Sequence, residues 1–190
     1  MRIIAGKLRG RRLESPAGRA IRPTSDRLRE TLFNFLAHRP QQPLAGARVA
    51  DLFAGTGALG FEALSRGAHS VCFVEHSHAA RRLLHANAEQ LGVRAQCHVL
   101  ARDACRLPWA AQAFDLIFID PPYRRGLAGR ALASARASGW IGPKTWVVIE
   151  RALGDASEAV AWPGVAETRA QGDSELVILH PTGNGWESSL

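Results

Sequence analysis

Residues 48–60 read R-V-A-D-L-F-A-G-T-G-A-L-G, and the fold follows from how that stretch is read. A short apolar run reaches Phe53, the chain then turns through Gly55-Thr56-Gly57, and helical text begins at Ala58. Glycines at such a turn adopt backbone angles closed to other residues. They also let a ligand approach the backbone and the helix N-terminus, where N–H groups point outward. Gly55, Gly57 and Gly60 satisfy G-x-G-x-x-G, so the stretch alone predicts a nucleotide-like cofactor and leaves NAD open. Glycines that served only helix–sheet packing would give the same letters. Roughly twenty residues after the turn, Glu75 closes the next strand, where a carboxylate can accept both hydroxyls of an adenosine ribose. The pair points to adenosine without naming a reaction.

Working outward, apolar strand text recurs at 48–53, 70–75, 95–100, 114–119 and 145–150, with helical text at 58–66, 77–91 and 126–138. Such alternation predicts an α/β fold, a parallel sheet covered by helices on both faces. Gly164–Ala170 and Glu175–His180, joined by Q-G-D-S, read as a terminal antiparallel hairpin. Upstream, residues 21–37 read as a helix with Thr24 or Ser25 as N-cap and Leu28, Leu32, Phe33 and Leu36 at helical spacing. The expected organisation is a basic appendage over 1–40, a catalytic body over 41–183 and a tail over 184–190.

The chain has 190 residues, 46% hydrophobic and 22% charged, enough for one soluble domain with its own core. No apolar run is long enough for a membrane span or a secretory leader, so a cytoplasmic protein is expected. Cys72, Cys97 and Cys105 follow no C-x-x-C spacing and read as reduced thiols. His76 and His78 lack a third ligand at metal spacing, so no metal is expected. The five tryptophans are dispersed and read mostly as packing.

The net charge of +7 is unevenly placed. Residues 1–30 carry nine Lys/Arg against three acids, while the other 160 carry 15 against 14. A basic segment on a nearly neutral body predicts a polyanion held at one end, with nucleic acid the commonest candidate. The text I-I-A-G-K-L-R-G-R-R-L-E alternates apolar and basic residues around Gly6 and Gly10. A short hairpin with one charged face would read this way, presenting Lys7, Arg9, Arg11 and Arg12.

Two further stretches bear on chemistry. Asp103-Ala104 follows the third strand, placed for Asp103 to reach an adenine amino group while Ala104 leaves room for the ring. The fourth strand, F-D-L-I-F-I, delivers Asp120-Pro121-Pro122-Tyr123 at its carboxyl end. Consecutive prolines stiffen the backbone and remove two N–H donors, leaving an acceptor-rich corner beside an aromatic face. An exocyclic base amine needs such a corner, because its lone pair is delocalised into the ring. With Asp120 and the Pro121 carbonyl accepting its hydrogens, the nitrogen can pyramidalise while Tyr123 stacks on the base. On this reading Tyr123→Phe, which keeps the ring, retains most activity. Arg124 and Arg125 follow directly and can hold phosphates beside a flipped base.

The chain resembles the class I S-adenosylmethionine-dependent methyltransferases that end strand four in (D/N)-P-P-(Y/F). More narrowly it is similar to the RsmD-type bacterial enzymes, which modify the 2-amino group of guanine 966 in 16S ribosomal RNA. The narrow likeness rests on I-I-A-G-K-L-R-G-R-R-L, R-P-T-S-D-R-L-R-E-T-L-F-N-F-L, D-L-F-A-G-T-G-A-L-G-F-E-A-L-S-R-G-A, F-V-E and D-P-P-Y-R-R-G-L, spanning residues 1 to 180. It implies a Rossmann-like, mostly parallel seven-stranded sheet and S-adenosyl-L-methionine as cofactor, leaving S-adenosyl-L-homocysteine. The implied cofactor contacts are Thr24, Asp51, Phe53, Gly55, Gly57, Glu75, Asp103, Ala104 and Asp120. Asp120, Pro121 and Tyr123 would serve catalysis, and Lys7, Arg9, Arg11, Arg12, Arg22, Arg124 and Arg125 would grip RNA. A-R-D-A at 101–104 is variable text in such enzymes, so Asp103 carries over less securely than Glu75 or Asp120.

The implied substrate is an unpaired or extruded guanine in the small ribosomal subunit or its assembly intermediate, and the implied protein is a monomer. Three rivals stand beside this reading. Methylation of adenine N6 or cytosine N4 suits D-P-P-Y, but 190 residues leave little room for a DNA target-recognition domain. An NAD-dependent oxidoreductase accounts for the glycines and Glu75 and leaves D-P-P-Y unexplained. A silent RNA-binding assembly factor would be expected to have lost the acid or the aromatic of that corner.

Overall fold

A computed structural model describes residues 1–15, 26–39, 43–123, 125–155 and 165–180. In chain order its elements are α1 (Asp26–Ala37), β1 (Arg48–Leu52), α2 (Ala58–Ser65), β2 (Ser70–Val74), α3 (His78–Leu91) and β3 (Cys97–Leu100). These are followed by β4 (Phe114–Ile119), α4 (Leu127–Ala137), β5 (Ile141–Ala152), β6 (Val165–Gln171) and β7 (Ser174–His180). The strands form one seven-stranded sheet in the order β3-β2-β1-β4-β5-β7-β6. β1 to β5 run parallel, and β7 enters antiparallel between β5 and β6. This is the mostly parallel α/β architecture expected from the alternating strand and helix text, closed by the expected hairpin. Among the described residues no helix is long and apolar enough to cross a membrane.

The strands are apolar throughout because both sheet faces are covered. Val49, Val71, Phe73, Leu116, Phe118, Trp146 and Val148 point into a core shared with α1, α2 and α3. Ala50, Leu52, Ile117, Ile119, Val147 and Ile149 point into a second core shared with α4. On α1, Leu28, Leu32, Phe33 and Leu36 are the buried stripe read from the sequence. Phe33 meets Phe118 at a ring separation of 5.6 Å, which lays α1 across the sheet. Thr31 bonds Gln171 at 2.8 Å and Arg39 pairs with Glu167 at 2.6 Å, so the N-terminal half of α1 lies toward the carboxyl edge of the parallel strands. Residues 21–25, including both proposed N-caps, and the tail 184–190 lie outside the described residues.

Two strand starts differ from the sequence reading by two residues or more. β3 starts at Cys97 because Arg94–Gln96 form a 3-10 turn. β5 starts at Ile141 instead of Thr145, and Gly142-Pro143 is absorbed in a register shift between the pairs Phe114↔Ile141 and Leu116↔Trp146. Thr145 holds that bulge: its Oγ1 accepts from the Gly142 N–H at 2.8 Å and donates to the Phe114 carbonyl at 2.6 Å. A bulge is where a strand tolerates such breakers.

The N-terminal hairpin is one bridge long, Arg2↔Arg12, and it is clamped onto the body. Ile3, Leu8 and Leu13 enter the α1–α3 core. Buried Glu62 accepts from the Ile4 and Ala5 N–H groups at 2.7 and 3.1 Å, and Ser65 Oγ accepts from the Leu8 N–H at 3.0 Å. Gly6, at φ 82°, passes so close to α2 that a Cβ would lie 2.0 Å from the Ser65 carbonyl oxygen. Only glycine fits there.

Candidate active site

The glycine turn leaves β1 through Phe53, which holds φ at 64°, a left-handed conformation uncommon outside glycine. The Ala54 N–H continues the pairing with β2 by donating to the Val74 carbonyl at 3.1 Å, and the Gly57 N–H closes back onto Ala54 at 2.7 Å. The glycines divide the work. A Cβ on Gly57 would lie 2.5 Å from Leu84 and Phe61, and one on Gly60 would lie 2.3 Å from Phe73. These two let α2 pack on the sheet and on α3. A Cβ on Gly55 would meet only the Phe53 carbonyl oxygen, at 3.9 Å, so this glycine has open space beside it.

Glu75 sits on the neighbouring strand end, 7% exposed. Its Oε2 accepts from the Gly55 N–H at 2.9 Å and its Oε1 from the Ser77 N–H at 2.7 Å. Two backbone donors fix the carboxylate, and each oxygen keeps a further lone pair for a ligand hydroxyl. Asp51 lies beneath α2 at 2% exposure and accepts from the Gly60 N–H at 2.9 Å. Burial, reinforced by the nearby Glu75 charge, pushes its carboxyl up to about 8 against the relief from Gly60. It is therefore largely protonated at neutral pH. On the next strand end, Ala104 is buried and Asp103 is exposed. Asp103 Oδ1 accepts from the Cys105 N–H at 2.9 Å, which fixes the turn after β3.

Across β1 from Glu75, the Asp120 N–H donates to the Leu52 carbonyl at 3.4 Å, keeping the start of the 120–123 corner against the glycine turn. Pro121 is buried and Pro122 exposed. Tyr123 is half-buried, and its hydroxyl donates to Glu150 Oε1 at 2.6 Å and lies 2.8 Å from Ser174 Oγ. Burial first, and then the Glu150 contact, push the phenol above its ordinary range, so it stays protonated. The strand ends thus bring Asp51, Phe53, Gly55, Glu75 and Asp120 to one carboxyl edge, with Asp103 and Tyr123 in the loops just beyond it. This edge is where open α/β sheets bind ligands. Thr24, Arg22 and Arg124 lie outside the described residues; Arg125 is exposed.

Lys7, Arg9, Arg11 and Arg12 are all exposed on the arm. Arg11 bonds the Gln90 carbonyl at the end of α3, and Lys7 reaches Gln96 Oε1 at 3.4 Å. The backbone that carries these four side chains is fixed on the body. Cys72 and Cys97 are pushed up to about 12 and about 11, chiefly by burial. They are poor nucleophiles.

Several buried polar residues escaped the sequence reading. Asn87 of α3, fully buried, donates to the Thr56 and Glu14 carbonyls and accepts from the Glu14 N–H. Arg29 of α1, also fully buried, donates to the Arg2 carbonyl at 3.0 Å and to Asp26 at 2.6 Å. Glu62 and Ser65 hold the arm, and Glu150 and Ser174 hold Tyr123. The available sign was a polar residue inside apolar text, as in V-V-I-E and F-E-A-L-S; nothing in the text names the partner.

Residues 1–180 match the family model described as "Conserved hypothetical protein 95". The chain is 37% identical over 150 residues to ribosomal RNA small subunit methyltransferase D of Escherichia coli K12, covering 79% of this chain and 74% of that protein. It is 37% identical over 154 residues to the protein of the same name from Haemophilus influenzae, covering 79% and 78%. Among solved structures, the Escherichia coli protein yhhF, a methyltransferase by name, superposes with a TM-score of 0.81 at 31% identity, over 95% of this chain and 97% of that one. With the glycine turn, the D-P-P-Y corner and the Rossmann-like sheet described above, these likenesses assign the chain to the family of the ribosomal RNA small subunit methyltransferase D proteins.

Proposed function

We propose that the chain transfers a methyl group from S-adenosyl-L-methionine to the exocyclic 2-amino group of a guanine in 16S ribosomal RNA, releasing S-adenosyl-L-homocysteine. Guanine 966 is the target that the family resemblance implies. The observation that carries this reading is the 120–123 corner at the end of β4, bonded directly to the end of β1, whose glycine turn holds Glu75.

The residues present fit the cofactor. Glu75 is pre-oriented with acceptor capacity to spare for two ribose hydroxyls, Gly55 leaves space at the turn, and buried Ala104 offers a small wall for the adenine. Asp103 accepts from the adenine amino group, and Thr24, Asp51 and Phe53 complete the cofactor contacts that the family resemblance implies. When bound, S-adenosylmethionine supplies an electrophilic methyl group on a sulfonium sulfur. Asp120 and the Pro121 carbonyl accept the two hydrogens of the target amine and turn its lone pair outward, and Asp120 helps disperse the positive charge that develops on the nitrogen as the new N–C bond replaces the methyl–sulfur bond, after which the methylated nitrogen releases one proton to solvent. Tyr123 stacks on the extruded base. Lys7, Arg9, Arg11, Arg12 and Arg22 grip the RNA, the role the family resemblance implies for them, and Arg124 and Arg125, directly after Tyr123 in sequence, serve the phosphates of the flipped nucleotide. Catalysis then comes mainly from holding donor and acceptor in line, an effect worth up to about 7–11 kcal/mol in well-oriented systems.

The test is transfer of labelled methyl to small-subunit particles and to naked 16S RNA from a strain lacking the gene, followed by mapping of the product. N2-methylguanosine is expected. N6-methyladenosine or N4-methylcytidine would transfer the reading to another amine, and binding of NAD without binding of S-adenosylmethionine would overturn it.

A further inference from the structure

Tyr123 is the single tyrosine of the chain, and the tip of its side chain is held more firmly than stacking requires. Its hydroxyl sits between Glu150 Oε1 at 2.6 Å and Ser174 Oγ at 2.8 Å. The two partners come from different strands. Glu150 lies near the carboxyl end of β5, opposite Leu176 of β7, and Ser174 opens β7 opposite Ala152 of β5. Both are buried, at 5% and 7% exposure.

Packing alone does not account for Glu150. It follows Trp146 and Val148 at alternate positions and directly ends the buried apolar run Trp146 to Ile149. A carboxylate buried in such a place is costly unless it is well satisfied. Among the described residues Oε2 has no hydrogen-bond partner, and the hydrogen bond Glu150 makes with a described residue goes to the Tyr123 hydroxyl. Fixing a tyrosine at both its Cα and its hydroxyl sets the direction of the ring's long axis, which a phenylalanine in the same place would set only by packing.

We propose that Glu150 and Ser174 are positioning residues for methyl transfer, holding the Tyr123 hydroxyl so that the ring stands as a fixed wall for the target base beside Asp120. The proposal rests on the methyltransferase reading above and gives the terminal β6–β7 hairpin a part in the site. It also alters the expectation for Tyr123→Phe. The sequence predicts that most activity is retained because the ring is kept; the tether predicts a loss, because the ring's direction is released.

The test compares Tyr123→Ala, Tyr123→Phe, Glu150→Ala, Glu150→Gln and Ser174→Ala by S-adenosylhomocysteine calorimetry and by single-turnover methyl transfer across a range of RNA concentrations. Labelling at tyrosine Cζ adds a nuclear magnetic resonance signal that must come from Tyr123. Tyr123→Phe and Glu150→Ala should slow saturated single turnover about tenfold, since small misplacements of reacting groups carry penalties of this order. Cofactor affinity should stay within about twofold of wild type. Glu150→Gln keeps an acceptor oxygen and should recover most of the rate, with the tyrosine resonance returning toward its wild-type position. Ser174→Ala, the mildest change, should fall between. Wild-type turnover in Tyr123→Phe, or Glu150→Gln as slow as Glu150→Ala, would overturn the tether. If Tyr123→Ala is slow while Tyr123→Phe is not, the methyltransferase reading stands and the tether alone fails. Absence of transfer by the wild-type protein sinks both.

Discussion

Asn87 donates from Nδ2 to the carbonyl oxygen of Thr56 at 3.1 Å, and the same side chain holds both backbone groups of Glu14. One amide thus links α3, the glycine turn and the basic arm. Asn87→Ala leaves three buried or part-buried backbone groups short of a partner and should destabilise the fold by about 2–3 kcal/mol. Denaturant titration with and without S-adenosylhomocysteine checks this. Cofactor stabilisation should shrink as well, because the turn loses its support; an unchanged cofactor increment would show that Thr56 does not need the amide.

Glu75 should be more sensitive than an ordinary ribose acceptor. Glu75→Gln keeps one acceptor oxygen but turns an NH₂ toward either Gly55 or Ser77, each of which now donates to the carboxylate. We expect S-adenosylmethionine affinity to fall about tenfold or more, each hydrogen bond to a charged group being worth about 1.5–3 kcal/mol. Calorimetry on the purified variant measures it, and wild-type affinity would remove Glu75 from the site.

Asp51 predicts a pH signature. Its carboxyl is raised to about 8 in the folded chain from the ordinary 3.8, so between these values the unfolded chain releases a proton that the folded chain retains. Stability contributed by the neutral form is therefore complete below pH 4 and drains away as pH rises toward 8. Asp51→Asn, which cannot ionise, should gain on wild type by about 4 kcal/mol between pH 5 and pH 8, at about 1.4 kcal/mol per pH unit. Chemical denaturation at the two pH values gives the difference, and parallel curves would contradict the burial argument.

The arm should serve RNA more than cofactor. Neutralising Arg9, Arg11 and Arg12 together should weaken RNA binding and flatten its dependence on salt, each lost phosphate contact lowering the slope by about one. S-adenosylmethionine affinity should stay close to wild type, since the backbone contacts to Glu62 and Ser65 that hold the arm remain. Filter binding from low to moderate salt is sufficient, and an unchanged slope would make this face a solubilising one.

The sheet was legible because two-sided burial writes itself as apolar runs: F-D-L-I-F-I and T-W-V-V-I-E can hardly be anything else between helical stretches. The glycine turn and the corner at 120–123 were legible because each depends on residues with unusual backbones. Their finer division was not. Gly55, Gly57 and Gly60 look alike as letters, and only their surroundings separate the open one from the two pressed against Phe61, Leu84 and Phe73. Nothing in the text foretold that Asp51 is 2% exposed and bonded to Gly60 beneath α2. Glu150 and Asn87 were invisible as partners, because contacts across 27 and 73 residues leave no mark in local text.

The insertion of β7 between β5 and β6 has a consequence for synthesis. Until Ser174–His180 has emerged from the ribosome, the outer edge of β5 cannot find its antiparallel partner. That edge runs through Trp146-Val147-Val148-Ile149, and a bare edge of this composition invites pairing with other chains. The nascent protein therefore carries its adhesive strand exposed during the translation of the 28 residues from Leu153 to His180, and the Tyr123 corner cannot be completed before that interval ends. Translational pausing within this window should raise aggregation of new chains far more than pausing earlier, when β5 has not yet been made.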